Sequence, residues 1–205
     1  VGFNLNSSIG VINTSFENKN NKLFNFRCDA NLSKASLISD ILLNQFELDD
    51  SLEMSVVYDK FHLSHFVFKS PQINYLNTRF FDLDISTQGS KYPEITCFID
   101  KVIFSDQISL NDLSLLVDIQ TKQNGKYYLN YYSELVNKIQ GEISGDITVQ
   151  KDNVIFGFNH KSFVNFSNKA WLIDSVSKIV LDKQGLAFQQ FAINLDKEFL
   201  IIDGY

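Results

Sequence analysis

The sequence predicts an all-β fold: an elongated, curved antiparallel β-sheet of groove or taco-like form, with one short amphipathic helix near residues 126–139. Three observations carry that expectation. The apolar residues are of the kinds that suit sheet, with 19 Phe and 8 Tyr against one Met, because aromatic and β-branched side chains fit a pleated, half-buried surface. Apolar and polar residues alternate over runs of strand length, and clusters of Asn, Asp, Lys and Gly punctuate the runs. Finally, a local rule recurs in which alternation slips by one residue, as in Leu186, Phe188, Phe191, Ile193 and Leu195. A strand that slips phase in this way needs a bulge if both halves are to keep their apolar side chains on one face.

Taken in order, Gly2 to Asn6, Gly10 to Glu17 and Leu23 to Leu32 read as strands, the last two joined by the polar tract from Asn18 to Lys22. In the third, Phe24, Phe26, Cys28, Ala30 and Leu32 form the face expected to be buried. Ala35 to Leu43 has mixed spacing and reads as strand rather than helix. Glu53 to Tyr58 and Lys60 to Phe68 form a hairpin, in which the slip appears as Phe61, Leu63, Phe66 and Phe68. Ile73 to Ile85, Ile95 to Ile99 and Val102 to Phe104 follow, with Pro71 and Pro93 at strand boundaries. The slip returns as Ile108, Leu110, Leu113 and Leu115. Lys126 to Ile139 is the exception, since Leu129, Tyr132, Leu135 or Val136, and Ile139 recur at helical spacing and Gly141 follows as a stop. Beyond it, Val154, Phe156 and Phe158 share one face, a short strand carries Trp171, and Ile179 to Leu181 is another strand. A turn at Lys183–Gly185 leads to Leu186–Leu195, and a turn at Asp196–Lys197 to Phe199–Asp203. About 12 to 14 antiparallel strands are expected in all, in possible sub-units 1–125 and 139–205 joined by the helix.

The 205 residues suffice for a sizeable core. A net charge of −6, a pI near 5.0 and no basic run argue against nucleic acid as a partner, and the acidity argues against docking on an anionic leaflet. No segment reaches the length of an apolar transmembrane helix. The chain opens at Val1 in strand-like sequence and is expected to be a fragment of a longer protein. Cys28 and Cys97 are far apart in sequence, and two buried free thiols are favoured over one disulfide.

The residue types able to carry chemistry have simpler readings. His62 and His65 flank Ser64, lack a third ligand of suitable spacing, and would face opposite sides of a regular strand unless a bulge rotated one of them. His160 lies near Ser162 without the glycines of a nucleophile elbow. Asp49 with Asp50, and Asp82 with Asp84, read as solvated turn and strand carboxylates. Gly141 and Gly145 are poorly framed for cradling phosphate, and Trp171 reads as a packing anchor. No enzyme, cofactor or metal site is expected.

The Trp171 strand, Lys178-Ile179-Val180-Leu181, Gly185, the phase-slipped strand and the closing Leu200-Ile201-Ile202-Asp203-Gly204 together resemble the repeating unit of TamB-like and AsmA-like bacterial proteins. The likeness is nearest to TamB-like chains of Bacteroidota. Ile139 to Ile147 resembles that family's entry into a new repeat, a helix, then Gly-x-x-x-Gly, then a strand, and the resemblance is best over roughly Ile139 to Tyr205. It implies a segment of a periplasmic bridge that carries phospholipid acyl chains between inner and outer membranes and serves outer-membrane biogenesis. An inner-membrane anchor and an outer-membrane Omp85-family, TamA-like partner would lie outside the fragment. Under this reading Phe24, Phe26, Phe61, Leu63, Phe66, Phe68, Leu110, Leu113, Val154, Phe156, Phe158, Leu186, Phe188, Phe191, Ile193, Leu200 and Ile202 line the groove. The alternative is a closed β spacer, structural or chaperone-like, that assists outer-membrane protein assembly through its sheet edges.

Overall fold

A computed structural model of the chain describes residues 2–19, 22–36, 46–49, 51–60, 62–89, 91–105, 108–133, 140–166 and 169–204. Seventeen strands are assigned to one sheet, and the registered pairs are antiparallel. The chain divides into two units, Val1–Ser109 and Leu110–Tyr205.

The first unit contains β1 (Gly2–Ser7), β2 (Gly10–Lys19), β3 (Lys22–Leu32), β4 (Phe46–Leu48), β5 (Leu52–Asp59), β6 (His62–Tyr75), β7 (Thr78–Gln88) and β8 (Glu94–Ser105). It is a meander in which each long strand pairs with the next, while β4 pairs with the far end of β6. Because opposed residues in an antiparallel pair share a face, the registers sort every side chain. One row across the sheet reads Thr14, Cys28, Val56, Phe66, Thr87, Ile95, and the next reads Ile12, Ala30, Met54, Phe68, Ile85, Cys97. The other side carries rows such as Asn13, Asp29, Ser55, Val67, Ser86, Thr96. One face is therefore apolar and the other mostly polar. The most buried cluster lies at one end of the apolar face, where Leu32, Ala35, Leu48, Leu52 and Ile73 meet. Both cysteines are free and on the apolar face, separated by three intervening strands, far beyond the reach of a disulfide.

The second unit holds most of β9 (Ile108–Ile119), then β10 (Asn124–Tyr132), β11 (Gln140–Val149), β12 (Asn153–Gly157), β13 (Phe163–Phe166), β14 (Lys169–Ile173), β15 (Lys178–Asp182), β16 (Gly185–Leu195) and β17 (Glu198–Gly204). Two of its strands are broken in the middle. β12 and β13 both lie along β11, and β15 and β14 both lie along β16, so each pair is one strand interrupted by a short loop. The two loops are built alike, from Asn159-His160-Lys161-Ser162 and Asp174-Ser175-Val176-Ser177. In each, the serine amide donates to the backbone oxygen of Asn159 or Asp174. The buried serine hydroxyl then fills the gap in the ladder. Ser162 Oγ donates to Ser144 O at 2.8 Å and accepts from Ser144 N at 3.0 Å, while Ser177 Oγ donates to Gln190 O at 3.2 Å and accepts from Ala192 N at 3.0 Å. With those breaks healed, the described residues form 15 strands, one more than the top of the expected range, the short β4 being the excess.

The expected helix at 126–139 is overturned over its described part. Residues 126–132 belong to β10, and Leu135, Val136 and Ile139 lie outside the described residues. The reason is cross-strand. Tyr127 is registered opposite Gly145 and Tyr131 opposite Gly141, and a Cβ at either glycine would run into the facing tyrosine ring. Each ring thus lies over a residue with no side chain, a pairing available only to a strand. The two glycines accordingly sit inside β11 rather than between a helix and a strand. Two further boundaries differ from expectation. Residues 73–85 are divided by a turn at Leu76–Asn77, where Leu76 takes a φ of 53°, and 95–99 and 102–104 fuse into β8. Of the 35–43 segment only Ala35 and Ser36 are described, Ser36 as helical.

Candidate functional site

The phase slips are what keep each apolar face continuous. In β16, Phe188 is opposed by Gly204 and Phe191 by Ile202, so both phenylalanines fall on one side, and Gln190 between them has a φ of 50°. In β9 the register against β10 shifts between Ser114 and Asn111, and Asp112 has a φ of 49°. Leu110 and Leu113 consequently share a face with Leu115 and Val117. In β6 the register against β5 shifts so that Leu63 opposes Tyr58 and His65 opposes Val57, which places Leu63 beside Phe66 and Phe68. Ser64 is the extra residue, and its hydroxyl donates to Val57 O at 3.0 Å.

The same device occurs where sequence reading missed it. On β8 both Ile99 and Val102 are buried, and on β7 Phe80 and Leu83 pack against one cluster. Between the latter pair Asp82 has a φ of 50°, opposite the stretch of β6 that contains Pro71. Phe80-Phe81-Asp82-Leu83 and Ile99-Asp100-Lys101-Val102 carry the apolar-x-x-apolar signal, so the information was present in the sequence.

In the first unit the apolar face holds Phe26, Leu63, Phe66 and Phe68. Phe24 stands at a bulge of β3, where the register to β2 shifts between Glu17 and Asn18. Phe61 lies outside the described residues. In the second unit the apolar face holds Leu110, Leu113, Val154, Phe156, Leu186, Phe188, Phe191, Ile193, Leu200 and Ile202. Phe158, just past β12, joins them through ring contacts. Tyr127 meets Phe156 at 5.7 Å and Phe158 at 6.5 Å, Phe158 meets Phe191 at 5.5 Å, and Phe191 meets Phe188 at 5.4 Å, all edge-on. Edge-to-face geometry is the favoured arrangement of such rings. The Tyr127 hydroxyl donates to Gly157 O at 2.9 Å, and burial, helped by Asp146, pushes its pKa well above the ordinary phenol value. It therefore stays a donor.

These faces are not covered as a core would be. No described phenylalanine is buried, and the largest side chains that are almost wholly enclosed are Val102 and three serines. Trp171, read from sequence as a packing anchor, lines an open pocket with Val164, Ile193 and Leu200.

On the polar side of the first unit, the bulge at Ser64 brings His62 and His65 onto the same face, opposite Asp59 and Val57. Both are exposed, and no group of three or more potential metal ligands occurs among the described residues. Asp84 pairs with Lys69 at 2.9 Å. Arg27 donates to Asp29 at 2.7 Å and Ser55 donates to it at 2.7 Å, which holds the Asp29 carboxyl below its usual pKa. Asp49 and His160 are exposed, and Asp50 lies outside the described residues.

Comparison with protein-family models, with curated proteins and with solved structures gave no match.

Proposed function

We propose that this chain is a segment of a periplasmic bridge that carries phospholipid acyl chains along an apolar sheet face, as its resemblance to TamB-like proteins suggests. The observation that carries the reading is the incomplete cover of the aromatic face: phenylalanines are numerous, most of those in register gather on one side of each unit's sheet, with Phe81, Phe98, Phe163 and Phe199 on the other, and none that is described is fully buried. A chain built as a closed sandwich would bury such residues between its layers. Apolar surface of this extent needs an apolar occupant. Acyl chains suit it, since each buried methylene contributes about 0.8 kcal/mol without directional demands. A lining with few hydrogen-bonding groups also lets a chain slide without a deep trap.

The spacer reading rests on a different observation. The last strand, β17, is registered to β16 alone, and Phe199, Leu200, Ile201 and Ile202 on it are all exposed. Such an edge is able to add a strand from another protein.

The test is native mass spectrometry with lipid extraction on the purified chain, set against the double variant Phe188→Asp, Phe191→Asp. Phospholipid that copurifies with the wild type and is lost from the variant, at unchanged far-ultraviolet circular dichroism, is the expected result. A lipid-free, monomeric wild type that also fails to take up added phospholipid would overturn the acyl-chain reading and favour the spacer.

A further inference from the structure

The apolar face of the second unit is not uniform along its length. Val164 on β13 is registered opposite Trp171 on β14, and Ile193 on β16 opposite Leu200 on β17. Ile173, opposite Ile193 and on the same face, is only 2 % exposed. Together they leave an open pocket of about 270 Å³ whose lining side chains, Val164, Trp171, Ile193 and Leu200, are all apolar. From Ile193 the apolar track continues along β16 through Phe191 and Phe188 to Leu186. At about 3.4 Å per residue that track is roughly 24 Å long.

We propose that the pocket at Trp171 is a defined seat for one end of a single acyl chain, whose remaining methylenes lie along Phe191 and Phe188. The proposal rests on the acyl-chain reading above and goes beyond it by giving the face one place where the occupant stops rather than slides. The lining decides the ligand class. A peptide strand laid here would bring a backbone amide every residue to side chains that, the indole N–H of Trp171 apart, offer neither donor nor acceptor, and each unpaired amide costs free energy. A compact apolar ligand would fill the pocket but leave the aromatic track beside it bare. A flexible hydrocarbon chain satisfies both. An indole on one wall suits it further, because a flat, rigid ring presents a large contact area with little entropy to lose.

Trp171 is the only tryptophan in the chain, so its emission reports the pocket alone. The experiment titrates the full chain with stearic acid and with 17,18-dibromostearic acid, whose bromines sit at the methyl end that the pocket would hold and quench indole emission on contact, while native mass spectrometry counts bound fatty acid independently. The expected result is saturable quenching of at least half the emission by the brominated acid, and a blue shift without quenching by the plain one. Leu200→Asp should weaken the apparent affinity at least tenfold at unchanged far-ultraviolet circular dichroism. Val164→Phe, which fills the pocket with another apolar side chain, should do the same. If fatty acid binds but the emission neither shifts nor falls, or if both variants quench like the wild type, the seat is overturned and the wider apolar face stands. If neither fatty acid nor phospholipid binds, the seat and the acyl-chain reading fall together.

Discussion

Replacing Gly145 by alanine tests the packing that turned a predicted helix into a strand. A Cβ at Gly145 would collide with the carbonyl oxygen of Gly157 and would lie 3.0 Å from Cε1 of Tyr127. The first obstacle is backbone and cannot rotate away. The second is a ring held by its hydroxyl, which donates to that same Gly157 oxygen. Forcing extra volume into such a site costs about 1–3 kcal/mol, and moving Gly157 also loosens a buried hydrogen bond worth about 1 kcal/mol. A destabilisation of about 3 kcal/mol lowers Tm by about 6–12 °C in a chain of this size. The control is Gly157→Ala, whose Cβ would find its nearest neighbour, Asp146 O, at 3.9 Å. That variant should be neutral or gain about 0.5 kcal/mol from the reduced freedom of the unfolded chain. Thermal melts followed by circular dichroism read both. Equal Tm values for the two variants, or a Gly145→Ala protein as stable as wild type, would refute the close approach of the Gly157 backbone to Gly145 and, with it, the seat of the Tyr127 hydroxyl on that oxygen.

Two further perturbations follow from the hydrogen-bond geometry. Ser177→Ala leaves Gln190 O and Ala192 N without the hydroxyl that bridges them, and should cost about 2 kcal/mol in urea denaturation. A loss below about 0.5 kcal/mol would mean that the broken strand closes without it. Asp29→Asn tests a pH dependence whose sign is fixed. The folded carboxyl has its pKa lowered, chiefly by its hydrogen bonds from Arg27 and Ser55, from the ordinary aspartate value of 3.8. Its contribution is therefore present above that value and lost as the pH falls through the lower, folded one. The wild type should be slightly the more stable at pH 7 and lose that margin on acidification to about pH 2, the effect being small because the pair is exposed. A margin that grows toward low pH would contradict the assignment.

What could be read in the sequence was whatever depends on which side of the chain a residue falls. The slips at Leu63/Phe66, Leu110/Leu113 and Phe188/Phe191 each correspond to a register shift, because apolar spacing records the face directly. The helix at 126–139 was misread because Leu129 and Tyr132 also satisfy a helical period. What decides for strand is the pair of glycines on the neighbouring strand, and one segment's periodicity carries no information about its neighbour. The pocket at Trp171 was missed for a related reason: its four residues come from four strands, and only registers bring them together. The two broken strands are an intermediate case. Asn159-x-x-Ser162 and Asp174-x-x-Ser177 repeat a local pattern that could have been noticed, but a serine standing in for a backbone partner acts across strands.

The cost of the slips shows which demand on the sheet is dominant. Asp82, Asp112 and Gln190 adopt φ values of 50°, 49° and 50°, a conformation that costs a non-glycine residue about 1–2 kcal/mol. Asp tolerates it better than most residues. A regular β16 would avoid the cost at Gln190 but send Phe191, Ile193 and Leu195 to the opposite face. Full burial of such side chains is worth about 1.5–3 kcal/mol each; these are only partly exposed, so about two-thirds of that, about 3–6 kcal/mol for the three, would be lost. The bulge wins by about 1–5 kcal/mol even while the face is bare. An occupant that completed the burial of Phe191 and Ile193 would widen that margin. The bulged register is thus the one that ligand binding stabilises, and hydrogen exchange at the Gln190 and Phe191 amides should slow when an acyl chain is bound. Exchange at these amides that is unchanged by a chain shown to be bound would separate the bulge from the binding face.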